Sequence, residues 1–493
     1  MSHQDQGRSR SRESHLQTLN RSLAWWLDDC DLSSIVLRDD CSWCPRSLVS
    51  AALLWALGDE RNITDRFGSA RKIIARLFPR QEPAGSYQAF VKLLRKWTVT
   101  LLAALMICFR QRMQQDEAGR FLTADFAVFA VDGSRVELPR TASNQQAYCA
   151  KKRKKAASGK RSGQHKARNG RKNGKGKTSR NRRRRSPRGR SAQQKLDNPN
   201  VWLTTMWHVG TGLPWDWRIG PSNSSERDHF RQMIDDLPSA ALVTADAGFV
   251  GYEYWKTLIE GGRHFVIRVG TSVKLLKQLG YARESSQTVS LWPDKAASRR
   301  QPPLTLRLVV VHNGKYPVYL VTDLPQSHLS DKQVCEIYKA RWGVEVFYRS
   351  FKQTFDRRQL RSHAAANVPV ELHWSLAGLW AACLFGKHHL QSAGNEPARL
   401  SVAKVLKALR TPLREYKSRP DPGEDLGSML ELAVMDDYQR TDKTSRNYPC
   451  KRQKEPPAGK PKLTNATHKQ KAKAMQIKQL NRQSMKPEKG LTA

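Results

Sequence analysis

Two aspartates each stand directly after a short apolar segment that predicts a buried β-strand. Asp132 follows residues 126–131, and Asp246 closely follows residues 241–244. An acid just past a buried strand lies at the rim of a sheet, where carboxylates from separate strands can converge. Converging carboxylates can hold two divalent ions roughly 4 Å apart, which activate a water or hydroxyl and stabilise the leaving oxygen in phosphodiester cleavage. Taken singly, each aspartate also fits an ordinary turn or capping residue.

A third acid lies on a segment that begins at Asp331 and predicts one long helix. Four of its residues fall within roughly 60° of arc on an α-helix, namely Tyr338, Arg341, Glu345 and Lys352. An apolar stripe runs beside them, formed by Ile337, Val344, Tyr348, Phe351 and Phe355. Such a helix can pack on a sheet and present an acid between cations that suit phosphate contacts. The same spacing also fits a solvated charged face beside a core stripe.

The elements that must position these residues predict a mixed α/β sheet. Apolar segments with the composition of strands occur at 126–131, 203–209, 213–219, 241–244, 264–269, 304–311 and 318–321. Helical patterns at 226–237 and 252–261 alternate with the later strands. Strands that come first and then alternate with helices indicate a sheet with helices packed against it.

The chain divides into parts of different composition. We predict a disordered segment 1–20, a helical N-terminal domain 21–115, an α/β domain 120–390, a C-terminal helical region 391–440 and a basic disordered tail 441–493. Within the α/β domain, residues 271–330 form a β-rich insertion. The helical N-terminal domain fits DNA-end binding and a purely structural bundle equally well.

The charge of the chain indicates a polyanionic partner. The 493 residues carry a formal net charge of +42, which predicts nucleic-acid binding that depends strongly on salt. Residues 151–195 alone hold 21 Lys or Arg and no Asp or Glu, and they have almost no large apolar side chain. We predict a disordered basic insert there, because it cannot bury a core. It either attracts phosphates or is a tolerated surface insertion.

Other kinds of site have little support. Cys41 and Cys44 form a CxxC without a second pair, so a zinc site is not expected and reduced thiols in a cytosolic protein are. Four histidines share no metal-binding spacing, namely His208, His229, His264 and His373. The longest apolar runs, 98–109 and 374–385, are shorter than the about 20 residues that span a bilayer, so we expect core helices and no membrane partner.

Three sequence blocks resemble one family. The pattern Tyr-x2-Arg-x3-Glu-x6-Lys at 338–352 resembles the signature of bacterial insertion-sequence transposases with the Tyr-Arg-Glu-Lys motif, the insertion-sequence-four type. The stretch AVDGSRVELPR around Asp132 resembles the first catalytic block of that family, and TADAGFVGYEYW around Asp246 resembles the second. The three blocks occur in the family's order over roughly residues 120–390. Their order makes the resemblance far more specific than any one block.

The resemblance implies a fold and a chemistry. It implies a DDE-class transposase whose RNase H-like mixed-sheet core carries the catalytic and metal-binding residues Asp132, Asp246 and Glu345. The implied cofactor is Mg²⁺, with Mn²⁺ as an alternative. The enzyme would hydrolyse one DNA strand at a transposon end and join the exposed 3′-hydroxyl to target DNA.

The resemblance also implies DNA contacts and an assembly. Tyr338, Arg341 and Lys352 would contact phosphates at the transposon end, and Arg268 matches a weaker family pattern for the same role. The partners would be terminal inverted repeats, target DNA and a second copy of the chain in a synaptic homodimer. We expect a cytoplasmic, nucleoid-associated protein. The basic insert 151–195 departs from the family pattern and leaves target choice open.

Two other functions compete with this one. The first is a non-catalytic DNA-binding protein derived from a transposase, and the second is a nucleoid or RNA-associated protein that depends on charge alone. Intact acids at all three positions favour the enzyme, because a binding protein has no use for converging carboxylates beside DNA phosphates. A preference for inverted-repeat ends would separate the enzyme from the charge-dependent binder.

Overall fold

The computed structural model describes residues 17, 19–79, 85–149, 198–313, 316–415 and 458–484. The predicted basic insert 151–195 lies outside these residues, as does nearly all of the predicted disordered segment 1–20. Residues 416–440 of the predicted C-terminal helical region and 441–457 of the predicted tail also lie outside them. These predictions therefore stay predictions.

Ten strands form one mixed sheet. They are β1 (Ala127–Glu137), β2 (Asn200–His208), β3 (Leu213–Pro221), β4 (Ala241–Ala245), β5 (His264–Val269), β6 (Lys274–Lys277), β7 (Thr288–Leu291), β8 (Leu304–Asn313), β9 (Tyr316–Thr322) and β10 (Lys462–Asn465). The strand order is β10-β6-β7-β8-β9-β5-β4-β1-β2-β3. β1, β4 and β5 run parallel at its centre, and β2 and β9 flank them in antiparallel pairing. The strands of 271–330 thus continue the same sheet rather than forming a separate one.

Helices cover this sheet and form an N-terminal bundle. They are α1 (19–27), α2 (Pro45–Leu57), α3 (Ile63–Leu77), α4 (Tyr87–Asp116), α5 (Ala118–Phe121), α6 (Ala142–Tyr148), α7 (Glu226–Arg231), α8 (Tyr252–Glu260), α9 (Asp294–Ser298), α10 (Asp331–Ala340), α11 (Gly343–Arg349), α12 (Val368–Ser392), α13 (Val402–Glu415) and α14 (His468–Ser484). Every residue of β4 is buried, as are the first five of β1. Such continuous burial is typical of parallel strands that are covered on both faces.

The helix α12 is the centre of the helical core. By length and composition alone, the segment Ala365–Ser392 is long and apolar enough to cross a membrane. However, 89% of its most apolar stretch of 18 residues is buried inside the fold. Indole groups tie it to the N-terminal helices, because Trp374 Nε1 donates to Thr98 Oγ1 at 3.0 Å and Trp26 Nε1 donates to Ala381 O at 3.1 Å. The helix therefore serves as a core element of this fold.

A buried arginine joins the N-terminal helices to the α/β part. Arg357 is 1% exposed, and its guanidinium donates to Ala56 O at 2.6 Å and Gly58 O at 3.0 Å, at the C-terminal end of α2. It also donates to Phe355 O at 3.0 Å. A cation that donates to the free carbonyls at a helix end satisfies them and favours the negative end of the helix dipole. The two parts are therefore packed as one unit at this point.

Asp132 lies inside a strand rather than after one. The sequence predicts that the strand ends at residue 131, but β1 continues to Glu137 because β2 pairs with it along its whole second half, including the pair Asp132 and Thr205. The strand's parallel neighbour β4 stops earlier, and its last registered pair joins Ala245 to Val131. Asp132 is therefore the first residue of β1 that has lost its neighbour on one side.

The predicted continuous helix from Asp331 is wrong. α10 ends at Ala340, α11 begins at Gly343, and the following residues Ser350–Thr354 form a π-helical turn. Arg341 and Trp342 between them keep helical backbone angles, and at Gly343 Trp207 packs so closely that a Cβ would overlap the indole ring. The predicted common arc of 60° therefore does not apply across the break.

The predicted disordered tail is wrong for residues 458–484. β10 pairs in parallel with β6, where Leu463 stands opposite Leu275, and α14 buries Ala474 and Ile477. A few apolar side chains are enough to order this segment, because the edge of β6 offers backbone groups for pairing. The lysine-rich composition obscures these apolar side chains in the sequence, since long cationic side chains can cover apolar surface while their charges stay in water.

The stability of the fold should fall when His208 takes up a proton. His208 is fully buried, its Nδ1 accepts from Thr211 N at 3.2 Å, and burial lowers its pKa to about 4. Because the unfolded chain binds a proton near pH 6.5 and the folded chain does not, stability is complete above pH 6.5 and is lost as the pH falls towards 4. We expect a loss of about 3 kcal/mol from this group, measured by denaturant unfolding across that range.

His208→Phe keeps a ring against Phe121, whose ring centroid lies 4.4 Å from that of His208, but cannot titrate. The free energy of unfolding of this variant should depend less on pH between 6.5 and 4. His328→Phe is the matched control, because His328 is exposed. Equal pH slopes for the two variants would contradict the prediction.

Candidate active site

Asp132 and Asp246 occupy equivalent positions on neighbouring strands. Val131 and Ala245 form the last registered pair between β1 and β4, and each aspartate is the next residue in its chain. Adjacent strands lie about 4.8 Å apart, so the backbones of the two aspartates leave the sheet next to each other. Asp246 then caps the short 3₁₀ turn Ala247–Phe249, and its Oδ1 accepts from Gly248 N at 3.0 Å.

Asp132 sits in an environment that disfavours its charge. The pKa of Asp132 is raised to about 7, chiefly by burial and to a smaller extent by Glu226 and Glu345, while Arg341 and a hydrogen bond from Gly133 N act in the opposite direction. A carboxyl whose pKa is raised by neighbouring acids indicates a concentration of negative charge in a partly desolvated place. A bound cation would relieve that repulsion, which makes the donor set chemically suitable for a hard divalent ion.

The helix α11 brings Glu345 to the same place. Tyr348, one turn further along, donates from its hydroxyl to Asp132 O at 2.7 Å. Lys352 Nζ donates to Ser134 Oγ at 2.7 Å, two residues along β1 from Asp132. The helix is thus hydrogen-bonded to the strand of Asp132 at two successive turns.

Glu345 is held by a neighbouring cation. Arg341 Nη2 donates to Glu345 Oε1 at 3.0 Å, and Arg341 itself is 9% exposed. Burial lowers the pKa of Arg341, but Tyr338, Glu345 and Asp132 outweigh this effect and raise it. Arg341 Nε is buried and has no hydrogen-bond partner in the described part of the chain. Arg341 is therefore paired with Glu345, acts electrostatically on Asp132, and keeps its Nε donor unused.

Tyr338 and Arg268 lie on the Asp246 side of the site. Burial raises the pKa of Tyr338, Asp246 raises it as well, and Arg341 and a hydrogen bond from Arg268 lower it. The guanidinium of Arg341 lies over the Tyr338 ring at 5.6 Å from its centroid. The structure thus brings the residues from the three sequence blocks together around Asp132 and Asp246.

The acids are neighbours without forming a closed ligand set. Across residues 19–79, 85–149, 198–313, 316–415 and 458–484, no three His, Cys, Asp or Glu side chains are grouped closely enough to hold a metal ion. Glu345 points to Arg341, and Asp246 points to its own turn. The arrangement can concentrate negative charge on one end of the central strands and offers cations beside it.

A family model matches the part of the chain that contains this candidate site. Residues 124–380 match the model described as transposase DDE domain, which is more than half of the chain. The chain belongs to this family. The match begins just before β1 and ends within α12, so it includes all three acids of the DDE site that the sequence predicts.

The individual proteins that the chain resembles have low sequence identity to it. The putative transposase for insertion sequence element IS4SA from Synechocystis is 24% identical over 199 residues, which cover 36% of this chain and 55% of that protein. The transposase InsG for insertion sequence element IS4 from Escherichia coli is 26% identical over 257 residues, which cover 48% and 57%. The chain therefore spans about half the length of these relatives. A solved structure of the piggyBac transposase synaptic complex with hairpin DNA covers 89% of this chain and 86% of that one, with 12% identity and a TM-score of 0.36.

A fourth acid, Glu226, lies at the candidate site, although the sequence pattern does not indicate it. Glu226 begins α7, and a Cβ on Gly133 would lie 2.6 Å from its carboxyl carbon, so its carboxylate rests against the backbone beside Asp132. Burial and then Asp246 raise the pKa of Glu226, and Arg227 lowers it. A glutamate after Ser225 indicates only the start of a helix. Its position at the site comes from the packing of α7 on the sheet.

We expect Gly343→Ala to destabilise the DDE domain. The new methyl group would overlap the ring of Trp207, so either the indole or α11 must move. Such overpacking should lower the free energy of unfolding by about 2 kcal/mol, as measured with denaturant. Gly68→Ala in α3 is the control, because a Cβ there meets nothing within 4 Å and alanine favours a helix. A Gly343→Ala chain as stable as Gly68→Ala would show that the close packing is not a constraint.

Proposed function

We propose that this chain is a DNA transposase that cleaves DNA at transposon ends and joins the 3′-hydroxyl to target DNA. One observation carries the proposal. Asp132 and Asp246 directly follow Val131 and Ala245, the last paired residues of β1 and β4, and Glu345 lies on a helix that is hydrogen-bonded to β1. Phosphodiester cleavage needs carboxylates from separate elements at one place. We assign Asp132, Asp246 and Glu345 as the catalytic and metal-binding residues.

Divalent ions fit these residues by their chemistry. The three acids would hold Mg²⁺, with Mn²⁺ as an alternative, because hard cations prefer carboxylate oxygens. When bound, such ions lower the pKa of the attacking water and stabilise the leaving oxygen. The raised pKa of Asp132 supports this assignment, because part of the increase comes from the neighbouring acids Glu226 and Glu345.

The remaining residues of the site suit DNA phosphates. Arg341 has an unused Nε donor that a phosphate oxygen could accept from, and Lys352 and Tyr338 flank the acids from both sides. Charge-assisted hydrogen bonds to phosphates fix the position of the DNA without reading its sequence. Tyr338, Arg341 and Lys352 are therefore proposed to hold the scissile region, and Arg268 joins them.

The sheet supports an RNase H-like core. β3, β2 and β1 form an antiparallel meander, and β4 and β5 add to β1 in parallel, so the order from the edge is 3-2-1-4-5. This core places acids at one end of the central strands and a helix beside them. On this assignment, β6 to β9 and β10 extend the core as an addition.

A basic groove lies between the N-terminal helices and the segment that follows α11. Its volume is about 780 Å³, and three arginines and one histidine line it, namely Arg61, Arg95, Arg361 and His363. No carboxylate is among the described residues that line it. Such a lining suits the DNA backbone, and it gives the helical N-terminal domain a part in DNA-end binding.

The groove lies along the direction of β1. Pro139 lines it and follows Asp132 by seven residues, which is about 23 Å of extended chain. A duplex rises about 3.4 Å per base pair, so a DNA end at Asp132 would reach the groove after about seven base pairs. Lys352 and Arg358 lie between, since they contact Ser134 and Glu137 of β1. We propose that end DNA follows this path in a synaptic homodimer.

Isosteric loss of one acid should abolish cleavage. Asp132→Asn, Asp246→Asn and Glu345→Gln each remove a charge that would hold the metal, so none should cleave a duplex with terminal inverted repeats in Mg²⁺. Binding of that duplex in EDTA should be retained, because the cations remain. Strand cleavage is measured on labelled DNA and binding by fluorescence anisotropy.

The matched control for the acids is Asp235→Asn, because Asp235 is exposed on the short turn Ile234–Asp236. This variant should cleave like the wild type. Normal cleavage by Glu345→Gln would mean that the third acid is misassigned.

Removing the cations of the groove should weaken end binding and reduce its dependence on salt. The triple variant Arg61→Ala, Arg95→Ala and Arg361→Ala removes three charges from the proposed path. The slope of log affinity against log salt should fall by about one unit for each phosphate contact that is lost. The measurement is a binding titration at a series of salt concentrations.

A control with the same loss of charge removes Lys469, Lys473 and Arg482, which are exposed on α14. Its slope for inverted-repeat ends should change less than that of the groove variant. Equal changes would show that binding responds to total charge and that the groove is not a specific path.

A further inference from the structure

The hydroxyl of Tyr348 stands between two strands at the level of Asp132. It donates to Asp132 O at 2.7 Å, and it accepts from Thr205 N at 3.1 Å. Asp132 and Thr205 are paired residues of β1 and β2. Where two strands pair directly, such an N–H and C=O bond to each other at about 2.9 Å. Here the Tyr348 hydroxyl also contacts both of these backbone groups and so ties α11 to the paired strands.

Tyr348 is well suited to this position. Its side chain is 5% exposed, and burial followed by the charge of Asp132 raises its pKa, so the phenol keeps the proton that it donates. It lies three residues after Glu345 on α11, and residues three apart share one face of a helix. The same turn of helix therefore carries one acid and fixes the backbone of another.

We propose that Tyr348 is a positioning residue that sets the distance between Asp132 and Glu345. This inference rests on the proposed function, because it concerns the acids assigned to the metal. Without the hydroxyl, α11 loses its hydrogen bonds to Asp132 O and Thr205 N. The helix that carries Glu345 is then free to shift relative to Asp132, while each acid keeps its own chemistry.

The test measures metal binding apart from cleavage. Mn²⁺ is titrated into the full chain, and the free ion is followed by electron paramagnetic resonance. Tyr348→Phe should weaken Mn²⁺ binding about tenfold, which is the size of effect seen when a group that orients a metal ligand is lost. The Mg²⁺ concentration that gives half-maximal cleavage should rise with it, and binding of end DNA in EDTA should not change.

Tyr254→Phe is the matched control. Tyr254 is also 5% exposed, and its hydroxyl donates to Val250 O at 3.2 Å rather than to the backbone of one of the assigned acids. This variant should bind Mn²⁺ like the wild type, whatever small stability it loses in thermal unfolding. Wild-type Mn²⁺ affinity in Tyr348→Phe, or the same loss in Tyr254→Phe, would overturn the inference.

A conservative replacement guards against a variant that does not fold. Incorporation of 4-aminophenylalanine at position 348 keeps a donor at the same place, so this chain should bind Mn²⁺ nearly as well as the wild type. A tenfold loss in this folded chain would also overturn the inference. Asp132→Asn separates the two proposals: if it binds Mn²⁺ as well as the wild type does, the metal assignment fails and the positioning role fails with it. If Asp132→Asn loses Mn²⁺ binding while Tyr348→Phe binds Mn²⁺ like the wild type, the proposed function stands and only the positioning role fails.

Discussion

The site depends on a mismatch in length between two neighbouring strands. β4 stops at Ala245, while β1 continues to Glu137 in pairing with β2. On its β4 side, β1 therefore has no strand partner from Asp132 until Glu137, which bridges to Gln359. Side chains from other elements contact this stretch of β1. Glu226 from α7 rests on Gly133, Tyr348 from α11 bonds to Asp132 O, and Lys352 from the π-helical turn bonds to Ser134.

The helical N-terminal part is tied to this site by packing. Arg357 follows the π-helical turn after α11 and binds the carbonyls at the end of α2. Burying a guanidinium is costly unless its donors are satisfied, so α2 and the turn after Glu345 must keep their relative position. The groove runs between the same two parts. A rigid junction there would hold a DNA path at a fixed angle to the acids.

The sequence predicts the residues of the candidate site better than the strands, helices and packing contacts that hold them in place. Apolar segments that end in Asp132 and Asp246 report burial directly, and order along the chain links them to Glu345. The continuation of β1 could not be predicted, because it depends on pairing with β2 across the long insert. The close packing of Trp207 on Gly343 joins residues that are far apart in sequence, so local pattern could not predict it. Glu226 was missed for the same reason, since its place beside Gly133 is a property of tertiary packing and not of local pattern. The ordered residues 458–484 were missed because lysines dominate their composition.

The strand β10 covers what would otherwise be an exposed edge of the sheet, the outer side of β6. It comes from the C-terminal region and lies on the outer side of β6, whose backbone it occupies over Lys274–Lys277. An uncovered strand offers a row of free N–H and C=O groups to any passing chain and favours aggregation. The opposite margin, β3, contains Pro214 and Pro221, which cannot donate from the backbone. A nascent chain would therefore have one unprotected margin until Lys462–Asn465 leave the ribosome and pair with β6, and self-association would be favoured most before that point.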